Sequence, residues 1–238
     1  MSGEWARGRL SLGSEMLRTI ALGVLGASAL AGCAVTNTPY PRPSDVYGAT
    51  PSATPTPNIY TNAARAPLHS ELFACGNWGS NIGEVGARGE TLLYTPYIHT
   101  PAGALLRNPT ETACLSSGFG WRGSATGGGR LHNGLDLANP NGGYIYAAGE
   151  GRIVFAGPRG GYGNVVEIYH GRNVRTLYAH LDEIDPNLRP GVRVEAGAPI
   201  GRMGMTGNAT GVHLHYEVSI DGLLIDPLAY GREAPPIL

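Results

Sequence analysis

Lysine is absent from this 238-residue chain: all 17 of its basic side chains are arginine. A phosphate-cradling loop of the G-x-x-x-x-G-K-[ST] type is thereby excluded, because that loop requires its lysine. Charge is scarce altogether, at 15% of residues with a net charge of −1, so nothing in the totals draws the chain to nucleic acid or another polyanion. Only three cysteines are present, Cys33, Cys75 and Cys114, and none has the Cys-x-x-Cys spacing that would make it a good metal ligand. Long apolar runs are missing too. The run from Ile20 to Leu30 falls well short of the roughly 20 residues that cross a bilayer. What is abundant is glycine (37) and proline (18), a composition that fits turn-dense β structure beside an extended segment.

The short apolar run has Arg18 before it and small residues after it, the layout of a secretory signal. Leu30-Ala31-Gly32-Cys33 resembles the bacterial lipobox, which implies lipid attached to Cys33 and residues 1–32 removed as a signal peptide. An ordinary cleaved signal with an incidental cysteine is the alternative. The first fifteen residues fit no signal and carry acids, pointing to Met16 as the true start. Export places Cys75 and Cys114 in an oxidising compartment, where they are candidates for a disulfide, two free thiols being the alternative. Residues 33–67 are rich in Pro, Thr, Ser, Ala and Asn and cannot build a core, so they read as a tether from the lipidated cysteine. In polyproline-like form such a tether spans on the order of 100 Å.

Residues 68–112 give a weaker signal, one or two strands interrupted by Pro96, Pro101 and Pro109, and read as an extension packed on or occluding the following domain. From 113 to 231 the texture changes to short apolar, β-branched runs separated by Gly-rich turns, with no long 3.6-residue periodicity. This predicts an all-β, antiparallel domain, and His170-Gly171-Arg172-Asn173 predicts one of its hairpins. Residues 232–238 form a tail.

Within that domain, "GVHLHYEV" (Gly211 to Val218) holds two histidines two residues apart. On a strand His213, His215 and Glu217 share one face. "LHNGLDLA" adds His132 and Asp136, and Gly134 between them lets the backbone bend so that both converge. A catalytic zinc site uses three N or O protein ligands and leaves a fourth position open. His132, Asp136 and one histidine of the H-x-H pair supply such a set.

The segments "SSGFGWR", "HNGLDLA", "YIYAAGEGRIVFAG", "GYGNVVEIYH", "TLYAHL", "PIGRMGMTGNATGVHLHYEV" and "IDPLAY", in this order, resemble the LytM/lysostaphin-type zinc endopeptidases. The resemblance covers about residues 116–230. It implies one Zn²⁺ per chain held by His132, Asp136 and His215, with His180 and His213 as non-ligand catalytic histidines. It further implies cleavage of the peptide part of bacterial peptidoglycan, in wall remodelling or division. The alternative the family offers is a non-enzymatic activator of a cell-wall amidase, with division proteins or the amidase as partners. His69, His99 and His170 match no catalytic position and read as surface or turn residues; Arg122 and Asn164 read as turn or packing residues, with substrate contact the alternative, and stand outside the metal centre. Together with the lipobox, the resemblance implies an envelope lipoprotein, held at the outer membrane and facing the periplasm.

Overall fold

The computed structural model describes residues 66–76, 79–123 and 129–231. Cys33, the signal segment, the tether and the tail lie outside the described residues. The described chain is almost entirely antiparallel β, as its alternating apolar runs require. The strands are β1 (Tyr97–Thr100), β2 (Gly103–Leu106), β3 (Cys114–Ser117), β4 (Gly120–Gly123), β5 (Gly129–His132), β6 (Leu135–Ala138) and β7 (Tyr144–Tyr146). They continue with β8 (Gly151–Pro158), β9 (Asn164–Gly171), β10 (Val174–Ile184), β11 (Arg193–Val194), β12 (Pro199–Met203), β13 (His213–Ile220) and β14 (Leu223–Ile225). A ten-stranded sheet runs β11-β8-β9-β10-β13-β6-β3, with β12 bridging β10 and β7 and β14 lying on β13.

The period of two decides which face is which. Along β13, Leu214, Tyr216, Val218 and Ile220 enter the main core, joined by Leu135 and Leu137 of β6 and Val174 and Tyr178 of β10. His213, His215 and Glu217 therefore point to the other face. Glu217 is buried on that face, and so is its cross-strand neighbour Leu177 of β10. The β9–β10 hairpin closes with Gly171 opposite Val174, and Arg172 and Asn173 both take positive φ (46° and 57°), the two-residue turn whose twist matches the strands.

Residues 66–112 pack on this domain. Leu72, Ile98 and Leu105 are fully buried in the same core as the sheet, and β1 and β2 form a separate hairpin between Pro96 and Pro109. Arg107 is completely buried, its guanidinium donating to the carbonyls of Thr95, Tyr97 and Pro227. A disulfide joins Cys75 to Cys114, 39 residues apart, where the extension meets β3.

Candidate metal centre

Asp136 on β6 lies directly opposite His215 on β13, and His132 closes β5 one tight turn earlier. The intervening Gly134 is required by proximity: a side-chain carbon there would overlap the backbone carbonyl of Tyr216 on β13. Three atoms meet as a result. His132 Nε2 is 3.0 Å from Asp136 Oδ1 and 3.0 Å from His215 Nδ1, and His215 Nδ1 is 2.9 Å from Asp136 Oδ1.

The outer atoms of the same side chains determine what those three inner atoms are. His132 Nδ1 donates to the Gly118 carbonyl at 2.6 Å, which leaves Nε2 as a lone pair in the neutral ring. His215 Nε2 donates to Glu217 Oε1 at 3.0 Å, which leaves Nδ1 as a lone pair. Asp136 Oδ2 accepts from Arg122 Nη2 at 2.6 Å, so Oδ1 is the free oxygen. Three acceptors thus converge with no hydrogen among them, an arrangement that repels unless a cation sits at the meeting point. The two imidazoles are 5–8% exposed and Asp136 13%, so water screens this repulsion little. Zinc bonds of about 2.0–2.1 Å in a tetrahedral site set ligand–ligand spacings near 3.3 Å, slightly wider than the triangle observed. The donor set fits zinc, and each ligand carries the outer hydrogen bond that usually orients zinc-bound histidines and carboxylates.

The titration of Asp136 and His215 expresses the demand for positive charge. Burial opposes ionisation of Asp136, but where a proton takes the place of a cation among the three inner atoms, hydrogen bonds from His132 and His215 outweigh burial and hold the carboxyl well below the usual carboxylate range. Burial likewise opposes a charged His215, yet Asp136 and Glu217 push its pKa up to about 9 when only a proton is available.

Two further imidazoles line the cleft, a cavity of ≈ 360 Å³ walled by the β4–β5 hairpin, the turn at Gly161 and Tyr162, and the loop carrying Asn208 and Thr210. His180 sits in a bulge of β10 with a positive φ of 61°, rare for a residue with a side chain. Its Nδ1 donates to the Thr206 carbonyl at 2.8 Å; His213 Nδ1 donates to the Gly211 carbonyl at 2.8 Å. Each Nε2 is therefore a lone pair in the neutral ring, and the two ring centres are 4.8 Å apart. His213 Nε2 lies 3.7 Å from Asp136 Oδ1. Burial lowers the pKa of His180, keeping it in its neutral form.

The structure thus brings His132, Asp136, His215, His180 and His213 into one cleft, and it adds residues the sequence reading left outside. Arg122 holds Asp136 rather than serving a turn. Tyr162 donates its hydroxyl to Glu217 Oε1 at 2.8 Å, so a loop residue steadies the carboxylate that orients His215. Asn164 donates to the Leu181 carbonyl and braces the bulge that carries His180. The alternation along β13 already placed Glu217 beside His215; Arg122 and Tyr162 gave no such signal.

His170 is a correction: it is half-buried and bonded at both ring nitrogens, to the Glu150 carbonyl and to the Thr176 hydroxyl, because the turn before β8 folds over it. His69 is also half-buried, bonded to the Thr110 carbonyl, while His99 is exposed. No residue of 66–112 lines the cleft among the described residues.

All five convergent residues fall within residues 130–227, which match the family model of Peptidase family M23. The chain is 43% identical over 108 residues to the DD-carboxypeptidase/endopeptidase Mpg of Neisseria meningitidis, covering 45% of this chain and 24% of the relative. It is 42% identical over 91 residues to the peptidoglycan DD-endopeptidase ShyA of Vibrio cholerae, covering 38% and 21%. The chain therefore spans about a quarter of the length of these relatives. Against the catalytic domain of the antimicrobial peptidase lysostaphin from Staphylococcus simulans the identity is 32%, covering 48% of this chain and 89% of that domain, with a TM-score of 0.42. Residues 130–227, which carry this cleft, form a domain of peptidase family M23.

Proposed function

We propose that the chain is a zinc-dependent endopeptidase that hydrolyses the peptide part of bacterial peptidoglycan, anchored in the envelope through lipid on Cys33. The observation that carries this reading is the convergence of His132 Nε2, His215 Nδ1 and Asp136 Oδ1 at 2.9–3.0 Å beside two more imidazoles, each anchored through Nδ1 to a backbone carbonyl. His132, Asp136 and His215 would hold one Zn²⁺. When bound, zinc supplies Lewis acidity, which polarises a carbonyl and brings the pKa of water down to about 7.

The chain's own residues do the rest. Arg122, Glu217 and the Gly118 carbonyl fix the three ligands. His180 and His213, anchored through Nδ1, offer Nε2 to take a proton from the attacking water, to return one to the leaving amine, or to donate to the developing oxyanion. Such proton transfer is worth typically 10²–10⁴-fold. A structural zinc site would claim four protein ligands, and among the described residues three converge beside an open cleft.

The test is muropeptide release from purified peptidoglycan, read by mass spectrometry, with zinc-loaded protein beside His215→Ala. New peptide termini made by the wild type alone support the reading and identify the bond cut. Failure of the zinc-loaded wild type to release any peptide would turn the assignment towards an activator of another hydrolase.

A further inference from the structure

The β4–β5 hairpin places Arg122 and Arg130 directly opposite each other on adjacent strands, on one face, and both line the metal cleft. Like charges in that position repel and destabilise a strand pair. The charge of Arg122 is matched by Asp136 Oδ2 at 2.6 Å, a carboxylate already engaged by two imidazoles. Arg130 has no ion-pair partner among the described residues and is exposed. In the sequence, residues 124–128 contain no acid. Among the described residues that line the cleft the only carboxylate is Asp136. The wall therefore presents one planar, permanently charged guanidinium, with its donors uncommitted, toward whatever occupies the cleft.

From this we infer that Arg130 is a specificity residue that reads a free carboxylate on the substrate. The inference rests on the peptidase reading and deepens it: the preferred peptide carries an ionised carboxylate near the bond to be cut, and its amide is discriminated against. A guanidinium matches a carboxylate with two parallel donors, whereas a neutral amide oxygen accepts only part of that pair and brings no charge. The carboxylate has two sources in a wall peptide, the C-terminus and an acidic side chain.

The experiment is titration calorimetry of the full chain, zinc-loaded, with a synthetic stem peptide of alternating L- and D-residues ending in D-alanine. Two analogues are titrated beside it, one amidated at the C-terminus and one at its side-chain carboxylates. One of the two amidations is expected to weaken binding by about 10-fold or more, the scale of a charge-assisted hydrogen bond. In Arg130→Gln that ratio should fall to near one, and Arg130→Lys, which keeps a point charge without the fork, should retain part of it. Zinc content and thermal melting of both variants check that the site is intact. Equal affinity of the wild type for all three peptides, absence of binding to any of them, or an unchanged preference in Arg130→Gln would overturn the inference. Preference without cleavage would leave it standing and remove the peptidase reading; cleavage without preference would do the reverse.

Discussion

His215 shows how much one side chain owes to its neighbours. Its Nδ1 faces the site only because Nε2 is committed to Glu217, and Glu217 is steadied in turn by Tyr162. Glu217→Gln keeps a hydrogen-bond acceptor but loses the charge. We expect zinc affinity, measured by chelator competition, to fall by about 10–100-fold, the scale of losing an outer carboxylate. Tyr162→Phe should cost less, because the carboxylate itself remains. Unchanged affinity in Glu217→Gln would mean that His215 is oriented by the strand alone. This scale is where sequence and structure diverge most. Strand alternation and a glycine bend are local rules, so the shared face of the H-x-H pair and the convergence of H-x-x-x-D could be read from sequence, whereas the roles of the individual histidines came only with the family resemblance. Arg122 and Tyr162 were not, because their partners lie 14 and 55 residues away and only the closed sheet brings them near.

At the scale of elements, the β9–β10 hairpin was legible from four residues, but the role of His170 at its edge was not. The Glu150 carbonyl can only accept, so Nδ1 carries the hydrogen and Nε2 accepts from the Thr176 hydroxyl at 2.8 Å. Burial, which the Glu150 bond offsets only in part, pushes the pKa of His170 down to about 4. A lowered folded-state value means that the unfolded chain binds the extra proton between about pH 4 and 6.5. This contribution to stability is therefore complete above about pH 6.5 and is lost as pH falls towards 4, amounting to at most about 3 kcal/mol. Urea midpoints should drop between pH 7.5 and 5 in the wild type, and less so in His170→Gln. Parallel pH curves for the two proteins would remove His170 from the account.

For the molecule as a whole, the all-β domain follows from its alternating apolar runs and turn residues. The attachment of residues 66–112 was harder to see, since it depends on single residues scattered through irregular chain: Leu72, Ile98, Leu105 and the buried Arg107. Periodicity cannot register isolated anchors. The Cys75–Cys114 link closes a loop of 39 residues, and loop-closure entropy assigns such a link about 4 kcal/mol. Cys75→Ser with Cys114→Ser should lower the thermal midpoint by several degrees while leaving zinc content unchanged, because no described residue of the extension lines the cleft. A drop in zinc content at temperatures where the variant is folded would show that the extension shapes the metal site after all.

The central claim is a division of labour among five side chains in one cleft, and zinc stoichiometry by inductively coupled plasma mass spectrometry, paired with peptide-bond hydrolysis on the same samples, tests it most directly. Wild type should carry one zinc per chain; His215→Ala and Asp136→Ala should carry none and be inactive. His180→Ala and His213→Ala should stay loaded and lose about 10²–10⁴-fold in turnover, the usual scale of a positioned proton-transfer group. An empty His213→Ala beside a loaded His215→Ala would contradict the account.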